Sequence, residues 1–363
     1  MSRPSFRSGL ALCLTFASAG GCGSSGAPGA SSSPPPSSSP SGPGAFAFKA
    51  ANHVSWWHDG YAGAVGDDAR SALVATRANW AGVLVTWYME GRTTNTIAPD
   101  PLQTPTDDVL AGAIRDLHAL GFKVMLKPHV DVKDGSWRGT IQPADPGLWF
   151  TSYDAFLSHF AVLAQANGVD LLDVGTELVT MSDARHESDW GAVIAHLRAA
   201  YSGPLTYGAN ANASGDEFVS VSFWSLLDYA GLDVYPPLTN HNDPTLAELT
   251  SAWSHNRYGD DIVAAYRNWQ AGHGKPVLFT EIGYRSIAGT NQAPYDYART
   301  GAVDAAEQAD CYEAALAVWS GESSWVQGTF WWDWPVDPPG PNDTDYTPRG
   351  KPAESVLTKY YGR

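Results

Sequence analysis

Cysteine is almost missing from this chain: three occur in 363 residues. Cys13 and Cys22 sit near the N-terminus, which leaves Cys311 alone in the body, so a disulfide framework is excluded. Cys311 falls in a helical pattern with Tyr312, Leu316 and Trp319 and reads as a packed core thiol. Positive charge is also scarce, with 22 Lys and Arg against 38 Asp and Glu and a net charge of −16. Arg3, Arg7 and Lys49 are the only charges before Asp59, so the acidic excess belongs entirely to the remainder. Such a body repels phosphate backbones, which argues against a nucleic-acid partner and suits a neutral substrate such as a polysaccharide. The apolar run at 10–16 is too short to span a membrane. Solenoid-type repeats are absent, no glycine-rich phosphate fingerprint follows an early strand, and there is no G-x-x-x-x-G-K-[ST] loop.

What the N-terminus does have is the make-up of an export signal. Arg3 and Arg7 precede the apolar run, and small residues follow it up to Cys22. Ala17-Ser18-Ala19 fits the small-x-small rule for ordinary cleavage, whereas Ala19-Gly20-Gly21-Cys22 resembles a bacterial lipobox with Ala19 where leucine is usual. Residues 23–44 are Ser, Pro, Gly and Ala only, a flexible tether with nothing to bury. A tether is most useful on an anchored protein. The expectation is therefore a signal peptide at 1–21, a lipidated Cys22 with its linker to 45, and a folded domain over 46–363. That makes a cell-envelope lipoprotein, touching the membrane only through its lipid, with plain secretion as the alternative.

After the linker, strand and helix patterns alternate. Strands are expected near 50–57, 82–88, 122–130, 169–174, 204–209, 230–235, 275–281 and 326–332. Helices are expected near 67–78, 106–120, 152–166, 189–200, 220–227, 245–272, 305–320 and 354–361. Eight such units spell a (β/α)8 barrel in one catalytic domain. Two strands stand out, because each is apolar, buried in pattern and delivers a glutamate at its C-terminal end: Glu177 after strand four and Glu281 after strand seven.

In a barrel, the side chains that meet a substrate stand at the strand C-termini and in the loops beyond them. Here those positions hold Trp56 and Trp57, Trp87, His129, Trp137 and Arg138, Thr176, Asn210, Tyr235, and Trp331 with Trp332. Flat rings, amides and carboxylates on one rim are what a sugar needs, since its C–H face packs on rings and its hydroxyls need fixed partners. Strands four and seven face each other across a barrel mouth, so Glu177 and Glu281 can act as the paired carboxyls of glycoside hydrolysis. A gap of about 5–5.5 Å between them implies a covalent intermediate and retained configuration. Glu281 is then expected to stay ionised, held by Tyr235 and Arg138, with Glu177 protonated beside its charge. The His129-x-Asp131 pair and His58 lack a third ligand at firm spacing, and the acidic stretch 333–345 lacks the EF-hand pattern, so neither a metal nor another cofactor is expected.

The stretches Leu126-Lys-Pro-His-Val-Asp-Val132, Trp137-Arg-Gly139, Val174-Gly-Thr-Glu-Leu178, Asp233-Val-Tyr-Pro236, Phe279-Thr-Glu-Ile-Gly-Tyr284 and Phe330-Trp-Trp-Asp-Trp334 together resemble glycoside hydrolase family 113 of clan A, the β-mannanases. The resemblance covers most of 48–335 in the expected order. It implies retaining endo-hydrolysis of β-1,4-mannan without a cofactor, with Glu177 as acid/base and Glu281 as nucleophile. It further implies that Tyr235 is the nucleophile's hydrogen-bonding partner and that Trp331-Trp332 form a sugar platform. Most of the clan has Asn before the acid/base, in contact with the sugar 2-hydroxyl; Thr176 stands there in this chain. The protein is expected to be a monomer. The alternatives are a clan A glycosidase acting on another β-glycan and a non-catalytic glycan-binding lipoprotein.

Overall fold

The structure, a computed structural model, describes residues 45–363 apart from Ser214. The signal peptide, Cys22 and all but the last residue of the linker lie outside the described residues. Eight parallel strands close on themselves in chain order: β1 (Phe48–Val54), β2 (Trp80–Met89), β3 (Lys123–Val132), β4 (Leu171–Thr176), β5 (Leu205–Asn210), β6 (Ala230–Val234), β7 (Val277–Ile282) and β8 (Val326–Pro335). The seam between first and last strand pairs Ala50 with Phe330. Around them lie α1 (Gly63–Val74), α2 (Asp107–Ala119), α3 (Pro146–Ala166), α4 (Glu187–Ala200), α5 (Leu246–Ala252), α6 (Ile262–His273), α7 (Ala305–Ser320) and α8 (Pro352–Tyr361). The expected (β/α)8 barrel is what forms. Among the described residues no helix is long and apolar enough to cross a membrane.

Local chemistry sets the helix ends. Thr106 caps α2 by accepting from the Val109 amide, with Asp107 and Asp108 in the first turn where the helix dipole favours acids. α3 begins at Pro146, six residues before its expected start, because Asp145 caps it and proline suits a first helical position. The long helix expected over 245–272 divides in two. α5 carries a Thr245/Glu248 capping box, and Asp261 starts α6 afresh by accepting from the Ala264 amide. Over 220–227 no α-helix forms; short 3-10 turns at Glu217–Val219 and Trp224–Leu226 take its place.

The barrel interior is layered, and the period of two along a strand makes the layers. Phe48, Ala50, Trp80, Met125, Leu171, Leu278 and Phe330 form a separate apolar cluster. Two residues further along the same strands, hence on the same face, come Asn52, Lys127, Asp173 and Thr280, all buried. The lumen is thus apolar at its base and charged just below the mouth. The same parity decides which tryptophans reach a substrate. Trp80 and Phe330 point inward, so Trp87 and Trp331, an odd number of positions on, point outward. Trp87 packs on Phe156, His159 and Phe160 of α3. Trp331 is fully buried and stacks on Tyr312 of α7 at a centroid distance of 3.7 Å. Both expectations of sugar contact are therefore corrected: these rings belong to the interface between barrel and helices.

Candidate active site

Strand β4 ends in a tight turn that aims Glu177. Gly175 has φ +157°, and a Cβ there would lie 2.5 Å from the Tyr153 hydroxyl oxygen and 2.9 Å from the Tyr207 ring. Only glycine fits, because backbone and rings must approach closely. Glu177 adopts φ +51°, a left-handed conformation that costs a non-glycine residue about 1–2 kcal/mol and must be held from outside. Four bonds hold it and the amide that follows. The Glu177 amide donates to Gly208 O (2.7 Å), and the Leu178 amide donates to the Tyr207 hydroxyl (2.8 Å). On the side chain, Asn210 Nδ2 donates to Oε1 (2.9 Å) and Trp137 Nε1 donates to Oε2 (3.0 Å).

Glu281 is reached differently. Strand β7 slips in register against both neighbours, pairing Leu232 with Phe279 but Asp233 with Glu281. The irregularity turns Glu281 to the mouth while its neighbour Thr280 keeps facing the lumen, donating from Oγ1 to Asp233 Oδ1 (2.7 Å). Tyr235 donates its hydroxyl to Glu281 Oε2 at 2.8 Å, as the sequence led us to expect. Arg138 does not share that task. Its Nε and Nη2 both bond Asp131 Oδ1, so the expectation that it holds Glu281 directly is corrected.

The cation that does meet Glu281 is Lys127, in the charged layer below. Its Nζ lies 2.9 Å from Asp173 Oδ2, 3.3 Å from Glu281 Oε1 and 3.7 Å from Asp233 Oδ2. Gly208 makes room for this cluster, since a Cβ on it would come within 2.7 Å of Asp233 Oδ2 and 3.0 Å of Lys127 Nζ. Burial alone would strip the lysine proton, but Asp173, Asp233 and Glu281 outweigh it and its pKa rises. Three carboxyls around one ammonium cannot all ionise without strong repulsion. Asp233, the farthest of the three from Nζ, is pushed well above the usual range by burial and by Glu281. Burial also raises Glu281; Lys127 opposes the rise, the charge on Glu177 adds to it, and Arg138 and the Tyr235 hydroxyl pull it back. The two glutamates are therefore close enough to feel each other's charge.

Rings flank this pair. His129 lies parallel to Trp332 at 6.0 Å, and Trp56 meets Trp332 edge-on at 6.2 Å. Burial, reinforced by Arg138 and Lys127, holds His129 well below the usual histidine range. The neutral imidazole has its Nε2 3.7 Å from Glu281 Oε1, and neither ring nitrogen has a hydrogen-bond partner. Thr176 is buried with an unpartnered hydroxyl. Trp57 pairs with His58 instead of joining the Trp56–Trp332 cleft. Among the described residues no group of three or more His, Cys, Asp or Glu side chains could hold a metal ion. In the loop 333–345, Lys351 Nζ donates to Asp343 Oδ1 (2.6 Å) and the Asp345 carbonyl (3.1 Å), so a lysine already supplies the positive charge there.

A mouth with two facing glutamates, one on a strained turn after β4 and one on β7 beside a tyrosine, is the site of a glycosidase. The sequence matches the model of glycoside hydrolase family 113 over residues 53–351. The chain belongs to that family. Among solved structures, this family 113 glycoside hydrolase is similar to the β-mannanase AaManA from Alicyclobacillus acidocaldarius, in complex with ManMIm. The TM-score is 0.77 and the identity 29%, over 88% of this chain and 97% of that one. A second family 113 β-1,4-mannanase, also solved as a complex, matches with a TM-score of 0.73 and 26% identity, over 88% and 99% of the two chains. A β-glucuronidase from Ruminococcus gnavus, 14% identical with a TM-score of 0.57, shares the fold over 87% of this chain and 50% of its own. No curated protein sequence matches the chain.

The glycoside hydrolase contains site residues that sequence reasoning passed over: Lys127, Asp173, Tyr207 and Glu217. Lys127 and Asp173 did leave a signal. Each interrupts an apolar run on one of two neighbouring strands, and opposite charges buried in adjacent strands imply a pair. Glu217 left none, because it lies between the expected strand 204–209 and the expected helix 220–227, in a stretch with no pattern of its own.

Proposed function

We propose that the enzyme is a retaining endo-β-1,4-mannanase that works by double displacement without a cofactor, Glu281 serving as nucleophile and Glu177 as acid/base. The observation that carries the assignment is the difference in company. Glu281 has the Lys127 ammonium and the Tyr235 hydroxyl, both of which favour an anion against the cost of burial. Glu177 stands half-exposed on a turn, held by Trp137 and Asn210, where a leaving oxygen and later a water can reach it. In the first step Glu281 attacks the anomeric carbon while Glu177 gives its proton to the departing oxygen. In the second, Glu177 takes a proton from water, whose oxygen displaces Glu281 and restores the starting configuration. Asn210, His129, Trp56 and Trp332 would seat the sugar, and Trp137, Arg138 and Thr176 would complete the wall around it. Mannan is the substrate read from the two β-mannanases of 29% and 26% identity.

The test combines a panel of β-glycans with azide trapping. Glu177→Ala should retain the first step on an activated aryl β-mannoside, whose phenolate needs no proton, and azide should rescue it to the β-azide. Glu281→Gly should lose turnover and, with azide, yield the α-azide after one inversion. Swapped anomers would reverse the roles, inverted product from the unmodified enzyme would exclude the covalent route, and activity confined to glucan, galactan or xylan would replace the substrate.

A further inference from the structure

Glu217 is a glutamate with no evident reason to be buried. It sits in the 3-10 turn Glu217–Val219 between β5 and β6 and is 4% exposed. Among the described residues no cation lies in ion-pair range of it. Its oxygens nevertheless have work. Oε1 accepts from the Tyr207 hydroxyl at 2.5 Å and the Ser182 hydroxyl at 2.8 Å, and Oε2 accepts from the Asn210 amide at 2.8 Å. Three donors converging on one side chain require a group that only accepts. A carboxylate meets that requirement; a glutamine, with one oxygen and an NH2, does not.

Those donors lead to the acid/base. Asn210, whose backbone Glu217 holds, donates its side chain to Glu177 Oε1 at 2.9 Å. Tyr207, whose hydroxyl donates to Glu217, is thereby left with its oxygen turned to accept from the Leu178 amide at 2.8 Å, directly after Glu177. Ser182 ties down the loop beyond. Of the four bonds that hold Glu177 in its left-handed turn, two hang from this one carboxylate. We propose that Glu217 is a positioning residue for the acid/base, fixing through Asn210 and Tyr207 where the Glu177 carboxyl points. The inference rests on the reading of Glu177 as acid/base.

Burial, partly offset by the three donors, lifts the Glu217 carboxyl to about 7, with the charge on Glu177 pushing the same way. A carboxylate kept in so unfavourable a place, at the apex of bonds aimed at one side chain, is what a positioning role needs.

The test compares leaving groups. For Glu217→Gln, kcat/KM on a manno-oligosaccharide should fall about 10- to 100-fold, because the departing alkoxide needs a well-placed acid. On a dinitrophenyl β-mannoside, whose leaving group departs unaided, kcat/KM should change less than about threefold. Glu177→Ala, measured alongside, should show the same asymmetry more strongly. Equal losses on both substrates would make Glu217 a general structural prop, and no loss on either would remove it from the site; each overturns the proposal. If Glu177→Ala itself lacks the asymmetry, the acid/base reading falls first and this inference with it. Should Glu217→Gln fail to fold, Tyr207→Phe removes one arm of the brace while keeping the ring. It should show a weaker asymmetry of the same sign, and its absence would count against the proposal equally.

Discussion

Adjacent tryptophans at the end of β8 have opposite fates, and the contrast is testable. Trp331 is fully buried against Tyr312, whereas Trp332 is half-buried in the mouth between His129 and Trp56. Trp331→Ala is predicted to destabilise the fold by about 3–5 kcal/mol, the usual cost of emptying an aromatic site in a core. Trp332→Ala should leave the melting temperature nearly unchanged while turnover of short oligosaccharides drops by tenfold or more, as expected for loss of a flat seat for the reacting sugar. Thermal melts and kcat/KM on mannotetraose separate the two; the reverse pattern would mean that the strand parity is misread. At this scale the sequence is legible where it names a residue type with one use. Glu177, Glu281 and Tyr235 could be picked out because a carboxylate or phenol at a strand end has few other roles. Trp87 and Trp331 misled because a tryptophan serves a core as readily as a sugar, and only the inward or outward count along the strand tells which.

Strands were legible in existence, whereas one expected α-helix, over 220–227, does not form and several helix ends fell elsewhere. All eight strands were visible as apolar runs, yet the slip in β7 that turns Glu281 to the mouth leaves no mark in composition. The split between α5 and α6 depends on Asp261 acting as a cap within an unbroken helical pattern. The end of β8 also carries a carboxyl under tension. Asp333 has an unpartnered oxygen, and burial, with the nearby charge of Asp345, pushes it up to about 7, Lys351 opposing. Its folded pKa lies above its unfolded one, so between those values the folded chain keeps a proton that the unfolded chain releases. Stability from this group therefore falls as pH rises from the ordinary carboxyl range to about 7 and stays low above. Asp333→Asn should gain on the unmodified protein by on the order of 2 kcal/mol between pH 5.5 and pH 8. Chemical denaturation at the two pH values measures this, and a difference independent of pH would show that Asp333 titrates normally.

At the scale of the whole molecule, the acidic catalytic barrel and the short N-terminal segment are expected to be separable. We propose that residues up to 45 export and tether the enzyme, with lipid on Cys22. Residues 23–45, composed of Ser, Pro, Gly and Ala only, offer nothing to bury. A chain begun at Phe46 is predicted to keep turnover within about twofold of the full length. Cys22→Ser should move the protein from the membrane fraction to the soluble exported one. A larger loss of turnover would mean that the segment packs on the barrel, and unchanged partitioning would favour cleavage after Ala19.

The seam between β1 and β8 carries a consequence for the order in which the molecule comes into being. Ala50 pairs with Phe330, and its backbone is also gripped by the Tyr361 hydroxyl at 3.1 Å, a partner 311 residues away. The Lys49 ammonium reaches the Tyr361 carbonyl at 2.7 Å. A ribosome adding 5–20 residues per second therefore leaves the first strand without one of its neighbours for on the order of tens of seconds. Until β8 emerges there is no closed cylinder, only a growing sheet whose ends have not met, and contacts this distant in sequence form late. Once β8 pairs with β1 and the Tyr361 hydroxyl docks on Ala50, the two ends of the chain are held together in one closed barrel.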